Sequence, residues 1–255
     1  MTLSIVEIPC LRDNYAYLVA PEGASQVVVI DPSEAKPVEA ALAERGLELM
    51  AILNTHHHWD HIGGNVELCA RREGLPVYAH VSDREQDRVP QQTHSVEHGK
   101  AFEVARMRFM PLHVPGHTLG AVTYWVEDAA FTGDTLFIAG CGRLFEGTPA
   151  MMYESLCVTL GELPPETRVF CGHEYTAQNL RFAATVEPDN EVIAKKLAWA
   201  QAQRAAGKPT VPSTMGEERD TNPFLRVAEP SVAARYGGGS PVDVLAAVRA
   251  AKDRF

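Results

Sequence analysis

The chain has 255 residues, of which 45% are hydrophobic and 22% charged, and this suits one large globular domain or one domain with an appendage. Its formal net charge is −10, and no cluster of lysine and arginine is present, which argues against nucleic acid as a partner. No basic N-terminal segment precedes an apolar run, and no stretch reaches the roughly 18 to 20 apolar residues that span a bilayer, so we expect neither a signal peptide nor a membrane partner.

The first part of the chain predicts strands followed by a helix. Runs rich in β-branched residues, separated by turn residues, predict strands at residues 4–9, 14–19 and 26–31. A helix is expected near residues 36–45, because Pro37 suits its first turn and Gly46 is a residue type that ends helices.

A short apolar strand, MAIL, runs directly into the segment NTHHHWDHIGG. In extended chain, side chains at positions i and i+2 point the same way, so His56 and His58 can reach one point in space. Asp60 and His61 lie where the chain turns into a helix and can reach a second point, whereas His57 should face away. Imidazole and carboxylate groups in this pattern predict two halves of a metal centre.

Further strands and helices complete the pattern. The later strands are predicted in the runs PVYAH, AFEV, RMRFMPL, AVTYWV, AAFTG and RVFCG. Thr148 followed by a proline predicts a helix start. After about residue 174 helical signals dominate: Ile193, Leu197 and Ala200 share one face, and Ser240 begins a helix with a proline next and an acid three positions on. We therefore expect an α/β sandwich with a helical last third.

Three later segments supply further candidate ligands. VPGHT contains His117, FTGDT contains Asp134 and FCGHEYT contains His173. In each, an apolar strand is followed by a small residue that turns the chain and then by a side chain that can bind metal. Strand-end loops are where sites usually lie, so we expect the three to complete the metal centre.

The remaining histidines and the cysteines receive other interpretations. His113 falls inside a predicted strand and is expected to be structural. We expect His80, His94 and His98 to lie at the surface or to support the site from behind its ligands, with His80 the best candidate for such a supporting role. The five cysteines form no CxxC pair, which indicates reduced thiols and a cytoplasmic protein.

The segment THHHWDH, followed by PGHT, TGDT and CGHEYT, resembles the metallo-β-lactamase superfamily. Within it, the segments FTGDTLFIAGCGRLFEGTP and NPFLR…AVRAAKDRF resemble the glyoxalase II family, the hydroxyacylglutathione hydrolases. The resemblance covers nearly the whole chain. It implies an αββα sandwich with a C-terminal helical domain, divided into a catalytic domain at residues 1–173 and a substrate-binding domain at residues 174–255.

The resemblance also implies a binuclear metal centre. Its seven ligands would be His56, His58 and His117 at the first ion, Asp60, His61 and His173 at the second, and Asp134 bridging both. Two divalent ions are expected, zinc first and iron or manganese as alternatives, because such ligand sets accept all three. A metal-bridging hydroxide, oriented by Asp60, would attack the carbonyl of a thioester.

The implied reaction is hydrolysis of S-D-lactoylglutathione and related S-2-hydroxyacylglutathiones to glutathione and D-lactate, the second step of methylglyoxal detoxification. Arg249 and Lys252, three residues apart on the last predicted helix, would bind the glycine carboxylate of glutathione. Arg143 and Tyr175 are further binding candidates. Phe145 stands where some family members have tyrosine, so any contact there must come from its ring or backbone.

The sequence is also compatible with other functions. A persulfide dioxygenase of the same superfamily, with a single iron, is the main alternative, and the segment NPFLR and the cationic C-terminal helix argue against it. The same C-terminal helix argues against a β-lactamase or lactonase, because their substrates do not require a glutathione-binding segment. A nuclease would need a basic channel, which the net charge of −10 disfavours. A metal-binding protein without turnover is the non-enzymatic alternative. We expect a monomer.

Overall fold

The first structural unit contains Met1–His113 and Gly120–Gly133, and its largest sheet follows the predicted N-terminal strands. The computed structural model describes all residues from 1 to 255. The six strands of this sheet, β1 to β6 in order, are Leu3–Cys10, Asn14–Pro21, Gln26–Ile30, Glu48–Leu53, Val77–His80 and His94–Val96. Strands β1 to β3 pair antiparallel, and β3 to β6 pair parallel. The carboxyl ends of β3, β4 and β5 therefore lie at one edge of the sheet, where open α/β sheets usually bind ligands.

The core of this sheet is covered by helix α1, Ala35–Arg45. Val38 and Leu42 are buried on its inner face, among the side chains of the first strands. Burial of each such side chain contributes about 1.5–3 kcal/mol. The helix ends at Gly46, which adopts the left-handed conformation with φ of 62°. The predicted helix and its stop are confirmed.

A second, antiparallel set of strands belongs to the same unit. Strands β7 to β10 are Phe102–Val104, Met107–His113, Val122–Val126 and Ala129–Gly133. Each pairs antiparallel with the next. The short helices α2, α3 and α4 are Trp59–Ile62, Asn65–Ala70 and Val81–Glu85. All three follow carboxyl ends of parallel strands or lie just beyond them, so they frame the loop that carries the histidines.

The second structural unit contains Val114–Leu119 and Asp134–Phe255 and is mainly helical. Its strands β11 to β14 are Leu136–Phe137, Gly140–Cys141, Arg168–Cys171 and Ser213–Thr214, which form two antiparallel pairs. Its helices α5 to α10 are Pro149–Tyr153, Thr176–Val186, Glu191–Ala205, Met215–Thr221, Pro230–Arg235 and Pro241–Asp253, and a π-helical segment, Glu154–Leu160, continues α5. The predicted helical last third is confirmed, and the helices are all too short or too polar to span a bilayer.

Local sequence signals explain where these helices start. Thr148 caps α5 by accepting a hydrogen bond from the backbone N–H of Met151. Ser240 and Asp243 form a reciprocal capping box at the start of α10. In α7, Ile193 and Ala200 are buried on one face, as their spacing predicts. The cap of α10 fixes the start of the helix that carries two predicted substrate-binding residues.

Candidate metal centre and substrate pocket

The histidine segment leaves β4 at the edge formed by the parallel strand ends. His56 is almost fully buried, and its Nε2 lies 3.1 Å from Nδ1 of His58. The rings of His56 and His61 have centroids 4.1 Å apart. Asp60 Oδ2 lies 3.7 Å from His61 Nε2. Four of the predicted ligands are therefore brought together within the first unit.

Asp31, which was not predicted, braces this segment from the neighbouring strand end. It follows β3, is buried, and accepts hydrogen bonds from the backbone N–H (2.7 Å) and the hydroxyl (2.6 Å) of Thr55. Nδ1 of His61 lies 2.9 Å from Asp31 Oδ2. An ionised carboxylate only accepts, so Nδ1 carries the proton and Nε2 has the lone pair. Metal-binding histidines are typically held in this way by a carboxylate.

His57 has different neighbours from the other histidines of the segment. Its Nδ1 lies 3.5 Å from Oδ1 of Asp83, whose buried carboxylate also contacts the Arg88 guanidinium at 2.6 Å. A Cβ added at Gly120 would collide with that carboxylate. This buried ion pair anchors the middle of the histidine segment.

The second unit brings its three predicted ligands together around one carboxylate. Oδ2 of Asp134 lies 3.5 Å from Nε2 of His117 and 3.3 Å from Nε2 of His173. All three side chains are buried. Nδ1 of His117 donates to the backbone oxygen of Arg143 at 2.9 Å, so its Nε2 has the lone pair. The ring of His173 stacks on Tyr175, with centroids 4.8 Å apart.

The donor chemistry of both groups fits a divalent metal ion. Buried imidazole nitrogens and carboxylate oxygens converge, and these are ligands that zinc, iron and manganese accept. In the first unit, ligand atoms of Asp31, His56 and His61 lie within 4.8 Å of one another. The hydrogen bonds on Nδ1 of His61 and His117 direct the opposite nitrogen of each ring toward a carboxylate. Divalent metal binding therefore agrees with the residues present.

The remaining four histidines contact one another or a neighbouring tyrosine. His80 and His113 stack with ring centroids 4.2 Å apart and an angle of 6° between their planes. Burial, followed by the neighbouring His113, lowers the pKa of His80 to about 4. His94 stacks on Tyr78, and Nδ1 of His98 accepts from the backbone N–H of His113. No metal-binding role follows for these four residues.

A pocket of about 460 Å³ lies within the second unit, beside the Asp134 group. All five predicted substrate-binding residues line it, namely Arg143, Phe145, Tyr175, Arg249 and Lys252. Gly142 also lines it, and a Cβ there would collide with the backbone oxygen of Asp134 and the ring of His117. The pocket thus combines three cationic side chains with four phenylalanine and tyrosine rings next to the candidate ligands.

Arg249 and Lys252 differ in how the pocket holds them. Arg249 is 6% exposed, donates to the backbone oxygen of Cys141 at 2.9 Å and pairs with Asp253 at 2.9 Å. The Nζ of Lys252 is buried without a hydrogen-bond partner and lies 5.1 and 5.2 Å from the ring centroids of Phe182 and Phe255. Burial, followed by the charge of Arg249, lowers the pKa of Lys252 to about 8.

Two protein-family models match the chain, and together they cover residues 11–255. Residues 11–173 match the family described as "Metallo-beta-lactamase superfamily", and this range includes all seven candidate ligands. The fold and the site thus define a metallo-β-lactamase-like protein, and the predicted αββα class is confirmed. Residues 174–255 match "Hydroxyacylglutathione hydrolase C-terminus". The chain belongs to the hydroxyacylglutathione hydrolase family of this superfamily, while the division into catalytic and substrate-binding domains stays a prediction.

Individual proteins agree with this assignment. The chain is 44% identical over 260 residues to "Hydroxyacylglutathione hydrolase cytoplasmic" from Arabidopsis thaliana, covering 99% of both chains. It is 49% identical over 255 residues to "Hydroxyacylglutathione hydrolase" from Synechococcus sp. (strain JA-3-3Ab), covering 99% of this chain and 100% of the relative. Among solved structures, TTHA1623 in a di-iron-bound form is 29% identical with a TM-score of 0.61, covering 87% of this chain and 100% of that one.

Proposed function

We propose that this protein is a hydroxyacylglutathione hydrolase that cleaves S-D-lactoylglutathione and related S-2-hydroxyacylglutathiones to glutathione and D-lactate, the second step of methylglyoxal detoxification. The observation that carries the proposal is full-length identity of 44% and 49% to hydrolases of that name. The candidate ligands and the cationic pocket support it, because hydrolysis of a glutathione thioester needs both an activated water and sites for carboxylates.

The proposal includes two divalent metal ions. His56, His58 and His117 would hold the first, Asp60, His61 and His173 the second, and Asp134 would bridge them. Zinc is our first expectation, with iron and manganese as alternatives, because selectivity among them depends on supply. The convergence of ring nitrogens and carboxylates within each unit supports these assignments. The di-iron form of a related structure supports a count of two.

Metal ions bound there would lower the pKa of a water and polarise the thioester carbonyl. The protein's own groups orient these participants. Asp60, ionised, can accept a hydrogen bond from the attacking water and so direct it. The leaving thiol has an ordinary pKa of about 8.5, so it departs without a dedicated acid. Burial raises the pKa of Cys141 to about 11 and of Cys171 to about 12, which removes both thiols as nucleophiles.

The pocket would bind the glutathione part of the substrate. Arg249 and Lys252 would hold the glycine carboxylate, and Arg143 would provide a further cation. The rings of Phe145 and Tyr175 would contact the peptide. Support comes from their shared position on the pocket wall and from the local positive charge in a chain of net charge −10. We further propose a cytoplasmic monomer, in line with the name of the plant relative for location.

The proposed function is tested by following loss of thioester absorbance from S-D-lactoylglutathione with purified, zinc-loaded protein. Rapid turnover is expected, and His58→Ala should abolish it, because the first ion would lose one of its ligands. The S-D-lactoyl thioester of a thiol without carboxylates should be a poor substrate. Absence of turnover by fully loaded protein would contradict the proposal, and oxygen consumption with glutathione persulfide would then test a dioxygenase.

The lowered pKa of Lys252 predicts how substrate binding depends on pH. With a pKa of about 8, its ammonium is present below pH 8 and is lost as the pH rises above it, whereas the substrate carboxylates stay ionised. The KM should therefore be constant up to about pH 8 and rise above it. Lys252→Met should have a higher KM at pH 7 and no further rise that depends on this group. The exposed Lys195→Met is the control, and an identical pH profile in Lys252→Met would disprove the role.

A further inference from the structure

Asn14 contacts Asp60 from a distant part of the chain. It is the first residue of β2, 5% exposed, and pairs with Cys10 across the turn from β1. Its Nδ2 donates to both the backbone oxygen (3.1 Å) and the Oδ2 (3.0 Å) of Asp60. Both partners only accept, so the orientation of the Asn14 amide follows from the chemistry of its neighbours.

The element that carries Asp60 has little means of its own to fix that side chain. Helix α2 has only four residues, and Trp59, directly before Asp60, is 71% exposed. A single helical turn is unstable by itself, because it must order the backbone of several residues for only one hydrogen bond. The turn that carries Asn14 is anchored instead, because the backbone N–H of Leu11 donates to Glu34 at 2.7 Å and β2 is buried throughout.

We propose that Asn14 is a positioning residue for Asp60, holding the carboxylate in the orientation in which it binds the second metal ion; this rests on the proposed function. An asparagine in a turn ordinarily bonds to backbone two residues on. Asn14 reaches 46 positions along the chain to Asp60. Its amide donates two hydrogen bonds without neutralising the carboxylate, whereas a cation in its place would compete with the metal. Groups that orient metal ligands typically contribute 10–100-fold in metal affinity.

The test measures zinc binding to the full-length protein by chelator competition and by elemental analysis. Wild type is expected to bind two ions. Asn14→Ala should keep the first and bind the second about 10–100-fold more weakly. Asn14→Asp should weaken it further, since two carboxylates would then face each other. Asn14→Ser provides a smaller change should Asn14→Ala not fold, with circular dichroism as the check.

A matched control separates this role from general stability. The side chain of Asn190 makes three hydrogen bonds. Its Oδ1 caps α7 by accepting from the backbone N–H groups of Val192 and Ile193, and its Nδ2 donates to the backbone oxygen of Asp220. Asn190→Ala should lower the melting temperature and leave both zinc affinities unchanged. Wild-type affinity for the second ion in the Asn14 variants would overturn the proposal.

Combining substitutions gives a second, independent readout. In Asp60→Ala, the further change Asn14→Ala should have no additional effect on zinc affinity, because the carboxylate that Asn14 orients is already gone and only the bond to the backbone oxygen remains. Additive losses would show that Asn14 acts elsewhere and would overturn the proposal. Thioester hydrolysis by wild type is scored separately, so failure of the proposed substrate would leave the zinc measurements decisive for Asn14.

Discussion

Alanine in place of Asp134 is expected to lower the turnover of S-D-lactoylglutathione by more than about a hundredfold, the upper range for residues that merely support metal ligands. The reason is geometric: a single oxygen of Asp134 lies within 3.5 Å of ring nitrogens from both His117 and His173. Loss of this carboxylate should weaken the binding of both proposed ions, so the metal content should fall well below two ions per chain. Steady-state kinetics and elemental analysis of the same samples measure the two effects.

A second variant at Asp134 separates the effect of the carboxylate's charge from the effect of its shape. Asp134→Asn keeps the volume and loses the charge, so it should also bind metal weakly. Asp189, an exposed residue outside the site, gives the control Asp189→Ala, which should behave as wild type. Retention of two ions together with more than a tenth of the activity in Asp134→Ala would show that the carboxylate does not bridge.

Methionine in place of Arg249 is expected to raise KM by at least about thirtyfold, with kcat changed far less. Truncating one partner of a buried, hydrogen-bonded charge pair costs about 2–5 kcal/mol, and 1.4 kcal/mol corresponds to a factor of ten. Arg249 is 6% exposed on the pocket wall. A cation that holds the same carboxylate before and during the reaction provides uniform binding, so its loss affects KM.

Two measurements guard this prediction against an indirect effect. Arg249 also pairs with Asp253 and donates to Cys141, so the melting temperature of Arg249→Met must be measured. Arg254, exposed on the same terminal segment, supplies the control Arg254→Met, for which wild-type kinetics are expected. An unchanged KM in stable Arg249→Met protein would remove this residue from the substrate site.

The candidate ligands could be predicted because each belongs to a short motif of neighbouring residues. HxHxDH places several ligand types within six positions, and His117, Asp134 and His173 each follow an apolar strand and a turn. Helix α10 was equally predictable, since Ser240 and the residues after it contain the complete start signal. Period, cap and turn chemistry act over a few residues, so a single sequence displays them.

The supporting residues could not be predicted because their roles depend on pairing between distant segments. Asp31 reads as an ordinary residue after a strand, and only the parallel pairing of β3 with β4 brings it to Thr55 and His61. Asn14 reads as a turn residue, and its contact with Asp60 spans two separate elements. Such contacts depend on which strands pair and in which register, and the register is a property of the paired strands and their turns that neither segment shows alone.

Gly142 has no reactive group, but neighbouring atoms leave no space for a side chain at this position. Even a methyl group there would collide with the backbone of Asp134 and the ring of His117. In a library of random variants, selected in cells that depend on this protein to grow in the presence of methylglyoxal, Gly142 should be as invariant as the candidate ligands. At this position, tolerance to mutation is therefore expected to depend on the space left around the candidate ligands.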